Sequence, residues 1–147
     1  MPSTMHIQLL LLGKTRRAEI RALLDDYAAR VRRFTEMEIR ELREDSPASM
    51  RRLELQPGAT LTLLDAGGKQ FDSAQFARWI AGCRDGGVRE IVFLCGAAEG
   101  FPAAIARRAT TRISLSPLTF SHELARVMLA EQLYRAFAAL AGHPYPK

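Results

Sequence analysis

Two hydrophobic periods alternate along the chain. His6–Leu12 is a nearly continuous apolar run, as in a strand buried on both faces of a parallel sheet, and Gly13 ends it. Next, Ile20, Leu23, Leu24, Tyr27, Val31 and Phe34 recur at helical spacing with arginines and aspartates opposite, and Thr15 is the expected cap. Glu36–Leu42 alternates: Met37 and Ile39 on one side, Glu38 and Arg40 on the other. This predicts an edge strand with one wet face. Residues 43–57 are polar, with a turn at Ser46 and Pro47 and room for a short helix over 48–55. A third strand is expected over 59–65, followed by a turn at Gly67 and Gly68. Asp72 or Ser73 then caps a helix carrying Phe76, Trp79, Ile80 and Cys83, which Gly86 and Gly87 end. Trp79 falls on the apolar stripe of that helix and is read as core. Glu90–Cys95 is a fourth strand, with a glycine-containing loop at 96–100 and a short helix opened by Phe101 and Pro102. Residues 113–115 make a fifth strand. Ser116, Pro117 and Thr119 form a loop, and Ser121 is the N-cap of a long last helix that Gly142 ends.

The order β-α-β, a polar excursion, then β-α-β-α-β-α predicts one α/β domain of 147 residues. Its sheet is mostly parallel, with helices on both faces. Such sheets bind ligands outside the carboxyl ends of their strands. The ends of the third, fourth and fifth strands are therefore expected to converge on one crevice. Glycine in the 96–100 loop permits close backbone approach to a ligand, but the loop is neither GxGxxG nor a P-loop. Glu99 reads equally as a ligand-binding carboxylate and as a charge at a helix start.

Charge adds a direction. With 21 basic against 16 acidic residues the net charge is +5, which favours an anionic partner such as RNA. Arg16, Arg17, Arg21, Arg30, Arg32 and Arg33 on the first helix form either a solvated face or a phosphate-contacting surface. No run approaches the ~20 apolar residues of a membrane span. The apolar start lacks a basic n-region and a cleavage site, so a cytoplasmic protein is expected. Cys83 and Cys95 sit in a helical and a strand pattern and read as buried thiols, not a disulfide. Three scattered histidines and two distant cysteines give no ligand spacing, so no metal is expected.

Four stretches carry a family resemblance: TLLD at 62–65, FLCGAAEG at 93–100, SLSPLTFSHELARVMLAEQLYRA at 114–136 and GHPYP at 142–146. They resemble the RlmH family, SPOUT-superfamily enzymes that methylate N3 of a pseudouridine in large-subunit (23S) ribosomal RNA. The resemblance implies a C-terminal trefoil knot, S-adenosylmethionine as methyl donor, a homodimer, and ribosomal RNA as substrate. A small domain of modest charge has little surface for reading sequence, so that RNA is expected to be presented on the assembled ribosome. By position it implies donor contacts at Leu64, Gly96, Ala97, Ser116, Pro117, Leu118, Thr119, Phe120 and Ser121. It places Glu131, Arg135 and Tyr145 at the reaction centre and His122, Arg126, His143 and Lys147 against RNA. Two departures stand out: Ala97 and Ala98 in a loop that usually reads GGPEG, and Pro146 where the family tail usually has histidine. Glu131, His143 or water is the base that takes the N3 proton. Glu131 and Arg135, without the resemblance, are an ordinary i,i+4 ion pair. The competing function is a noncatalytic RNA-binding or ribosome-assembly factor, which would not need the donor loop. Leu124, Val127, Met128, Leu129, Leu133, Tyr134, Phe137 and Leu140 occupy more than one face of the last helix. One stripe can pack on the sheet; the other predicts a second copy of the chain.

Overall fold

The computed structural model describes residues 5–43, 55–96, 101 and 103–143. Its sheet has five strands, β1 (His6–Leu12), β2 (Glu36–Leu42), β3 (Ala59–Gln70), β4 (Glu90–Cys95) and β5 (Thr111–Ser114). All pair in parallel, in the order β2-β1-β4-β3-β5. His6 lies level with both Glu36 and Glu90, and Glu90 level with Ala59. Four strands thus start on one row, and the sheet offers one edge of carboxyl ends.

The alternation along β1 explains its continuous apolar run. Ile7, Leu9 and Leu11 enter the core on one face, while Leu10 and Leu12 enter a second core on the other. Among the described residues the faces are covered unequally. Helices α1 (Ala18–Val31), α2 (Ser73–Asp85) and α4 (His122–Leu140) all pack on the first face. Among the described residues, the other face carries the four-residue helix α3 (Ala103–Ala106), whose Ile105 packs with Leu10, Leu12, Leu61, Leu63, Val92 and Leu94. Burying each such leucine or isoleucine contributes about 1.5–3 kcal/mol. β2 is the expected edge strand, with Met37 buried and Glu36, Glu38 and Arg40 exposed.

Asp72 closes a capping box with Gln75 at the start of α2, each side chain reaching the other's backbone N–H. Gly87 and Gly142, at φ 91° and 75°, follow the ends of α2 and α4, a backbone region that side chains disfavour. Trp79 stacks on Phe71 and Phe76 and packs edge-on to Phe93, part of the core as its spacing predicted. Both cysteines are free thiols.

Several expectations need correction. Thr15 does not cap α1: the N-cap is Arg17, without a side-chain bond, and Thr15 is bound elsewhere. Leu23 is 44% exposed instead of buried. Gly67 and Gly68 do not end β3. The strand runs on to Gln70, and both Leu64 and Lys69 register with Ile113, so residues 65–68 bulge out of the ladder. Leu115 lies just past β5, not within it. The expected turn at Ser46 and Pro47, and all but the last residue of the helix at 48–55, lie outside the described residues.

Candidate functional site

The flush carboxyl edge makes a crevice of about 230 Å³. Leu64, Asp65 and Ala66 line it from the start of the β3 bulge, Cys95 and Gly96 from the end of β4, and Phe101 from the segment before α3. Leu115, Ser116, Leu118, Thr119 and Phe120 line it from the loop after β5, with His122 and Ala125 from the first turn of α4. Three segments distant in sequence, each flagged as donor-binding, therefore share one hollow. Its walls are mostly apolar and half-buried, with hydroxyls at Ser116 and Thr119. Among the described residues the hydrogen bonds of loop 115–121 are local. Ser114 Oγ donates to the Ser116 carbonyl at 3.0 Å, the Leu118 N–H to Ser116 Oγ at 3.0 Å, and Ser121 Oγ caps α4 through the Leu124 N–H at 3.2 Å. Residues 117–121 of the loop are exposed, so their remaining backbone groups are open to water or to a ligand.

Beyond Leu115 lies a larger cleft, about 490 Å³, between α1, α2 and α4. Leu115 lines both hollows. Glu131 lines the cleft; its Oε2 accepts from Arg135 Nη2 at 3.0 Å and its Oε1 from Gln132 Nε2 at 3.1 Å. Gln132 in turn accepts from Ser73 Oγ at 2.8 Å, tying this polar group to the start of α2. Leu23 and Met128 stand at the same cleft, 44% and 36% exposed, with Leu124, at 44%, one turn before Met128.

A family model described as "Predicted SPOUT methyltransferase" matches residues 5–146. The chain belongs to the SPOUT methyltransferase family. It is 42% identical over 151 residues, 96% of this chain and 99% of the relative, to ribosomal RNA large subunit methyltransferase H of Pelobacter propionicus. It is 43% identical over 145 residues, at the same coverage, to the protein of that name from Solibacter usitatus. A solved probable methylase family protein from Haemophilus influenzae shares the fold, with a TM-score of 0.54 at 10% identity over all of this chain and 73% of that one. As a SPOUT family member the chain is a methyltransferase.

The structure holds some of the expected site residues elsewhere than expected. Pro117 and Ser121 belong to the crevice loop but not to its lining, and Ala97, Tyr145 and Lys147 lie outside the described residues. His122, assigned to RNA, lines the crevice. His143 is exposed and meets Phe34 edge-on at 5.5 Å. Arg126 is the clear departure: it is fully buried, so it presents no surface to RNA. Its Nη1 donates to Thr15 Oγ1 at 2.8 Å and its Nη2 to the Leu12 carbonyl at 2.7 Å.

Three residues at or behind this crevice were not assigned a site role in the sequence. Asp65 supplies the one carboxylate among the described crevice-lining residues; its Oδ1 accepts the Gly67 N–H at 3.2 Å and its Oδ2 pairs with Arg112 at 3.3 Å. It directly follows Leu64, which was the available signal. Glu123 and Glu41 hold the loop between β1 and α1. Hydrogen bonds from the Arg17 N–H, and then the Arg16 N–H, outweigh burial and hold the Glu123 carboxyl below its ordinary range, with Arg126 and His122 adding to the effect. Burial works against Glu41, yet the Thr15 N–H and Arg21 together bring its carboxyl below that range. Burial pushes the Cys95 thiol up to about 12, so its sulfur is a neutral apolar wall of the crevice. Among the described residues no cluster of three His, Cys, Asp or Glu could hold a metal, and no helix is long and apolar enough to cross a membrane.

Proposed function

We propose that this SPOUT methyltransferase transfers a methyl group from S-adenosylmethionine to N3 of a pseudouridine in large-subunit ribosomal RNA, working in the cytoplasm on the assembled ribosome. One observation carries the reading: Leu64, Gly96, Ser116, Leu118, Thr119 and Phe120 line one crevice at the carboxyl ends of β3, β4 and β5. Relatives named for large-subunit ribosomal RNA methylation match the chain over 96% of its length. When bound, the donor supplies a sulfonium-activated methyl for in-line displacement, with reacting atoms held at roughly 3–3.5 Å.

Leu64, Gly96 and the backbone of loop 116–121 hold the donor. Glu131, which lines the cleft beyond Leu115, and Arg135, paired with it, serve the acceptor side. The carboxylate orients the guanidinium, the guanidinium stabilises the anion that forms as N3 gives its proton to water, and that anion takes the methyl as the donor leaves in its demethylated form. The exposed row Leu23, Leu124 and Met128 is the face that a second copy of the chain covers in a homodimer. The test is calorimetry with S-adenosylmethionine, followed by labelled-methyl transfer to ribosomes lacking the modification. Donor binding and transfer to N3 of one pseudouridine are expected. No heat and no thermal shift with either the donor or its demethylated product would overturn the reading.

A further inference from the structure

Two side chains in the first turns of α4 reach back to the loop between β1 and α1. Glu123 accepts the backbone N–H groups of Arg16 and Arg17, both at 3.1 Å, where α1 begins and its N–H donors have no helical partners. Arg126 grips the same loop through the Thr15 hydroxyl and the Leu12 carbonyl. Glu41 holds the loop from β2, through the Thr15 N–H at 2.5 Å and Arg21. A buried guanidinium carries a large desolvation penalty that an apolar side chain of similar size would avoid. Core filling alone therefore does not account for it.

The position of the clamp does. His122 and Ala125, on the same turns of α4, line the crevice, while Glu123 and Arg126 are absent from its lining and engage the loop instead. Loop 115–121 makes only local hydrogen bonds among the described residues, so its place is set at its ends, by Ser114 in β5 and by the start of α4. Whatever fixes that first turn fixes one wall of the crevice.

We propose that Glu123 and Arg126 are positioning residues for donor binding, acting on the crevice wall through the first turn of α4. The proposal rests on the crevice being the donor site. The experiment compares wild type with Arg126→Lys, Arg126→Met and Glu123→Gln. Donor affinity is measured by calorimetry at a temperature where urea curves show each variant folded, and KM for donor and for ribosomes is measured separately. Arg126→Met is expected to bind the donor about tenfold more weakly, a loss of about 1.4 kcal/mol. Arg126→Lys, which keeps the charge but not the two-pronged fork, should recover part of that loss. KM for the donor should rise in step while KM for ribosomes stays at the wild-type value. If Arg126→Met fails to fold, Glu123→Gln carries the same test, with weaker donor binding expected. Folded variants that bind the donor like wild type would overturn the clamp and leave the crevice reading standing. A wild-type protein that binds no donor would overturn both.

Discussion

Replacing Gly68 by alanine tests whether the crevice is set by how closely β3 and β5 approach. A methyl group at Gly68 would sit 2.7 Å from the carbonyl carbon of Arg112, 2.8 Å from its oxygen and 2.8 Å from the Ile113 nitrogen. Comfortable contact needs about 3.5–4.0 Å, so roughly 1 Å must be found. The backbone of Gly68 does not have a positive φ, so alanine is tolerated in conformation and the conflict is one of space. The atoms it meets are backbone, which cannot rotate away. β5 pairs with β3 alone and is the strand free to move. It would carry Leu115 and the loop beyond it away from Leu64. Overpacking of this kind costs about 1–3 kcal/mol. At about 2–4 °C per kcal/mol for a chain of this size, Tm should fall by several degrees. Gly67→Ala is the matched control, because its methyl would meet nothing nearer than Asp65 Oδ1 at 3.9 Å. Thermal unfolding and calorimetry with S-adenosylmethionine on both variants decide the matter. Gly68→Ala should lose stability and donor affinity together, and Gly67→Ala neither. Equal Tm and equal affinity for the two would refute the close approach as the device that sets the crevice.

Light scattering at micromolar concentration should give twice the chain mass, and Met128→Glu with Leu124→Glu should give the mass of one chain; a wild-type monomer would contradict the pairing face. Cys95 should react with a thiol reagent at pH 8 only after unfolding, since burial keeps it protonated there; labelling of the native protein at Cys95 would count against this. The lowered Glu123 carboxyl contributes stability that is fully present above the ordinary carboxylate value of about 4.3 and is lost as pH falls through the lowered value. The gap in urea midpoint between wild type and Glu123→Gln should therefore be widest near neutral pH and close on acidification; a gap constant with pH would argue against the charge. A chain ending at Ala141 should keep donor affinity and dimer mass but lose most methyl transfer. Equal turnover with full-length protein would remove Tyr145 and Lys147 from the site.

Local chemistry was legible in the sequence, and contact between distant backbones was not. The unbroken apolar run of β1, the alternation of β2, the Asp72 cap and the Ser121 cap all act within a few residues, and each stands where its pattern placed it. Gly67 and Gly68 read as a turn because two glycines usually break a strand. What Gly68 serves is the backbone of β5, more than 40 positions on, and no local period encodes that approach. Leu23 shares the apolar stripe of α1, but it faces the open cleft between α1, α2 and α4. Arg126 was placed against RNA by the family resemblance. Its spacing said otherwise, since it precedes Leu129, Ala130 and Leu133 on the buried face of α4 by three, four and seven residues. For the crevice, strand order supplied the location and the family resemblance supplied the residues, and six of the eight described ones line it.

The clamp between α4 and the loop after β1 also decides when the molecule is finished. Its hydrogen bonds join residues 107 and 114 positions apart. A chain leaving the ribosome from its amino end therefore exposes Leu12, Thr15 and the start of α1 long before Glu123 and Arg126 exist to hold them. Parallel pairing of β1 with β4 adds a second long wait. Closing such loops is a modest entropic burden, growing by only about 0.6 kcal/mol per doubling of length, but it sets a slow tempo for a small domain. His122 and Ala125 line the crevice, so it cannot be complete until the start of α4 has been made, after every strand end that it adjoins.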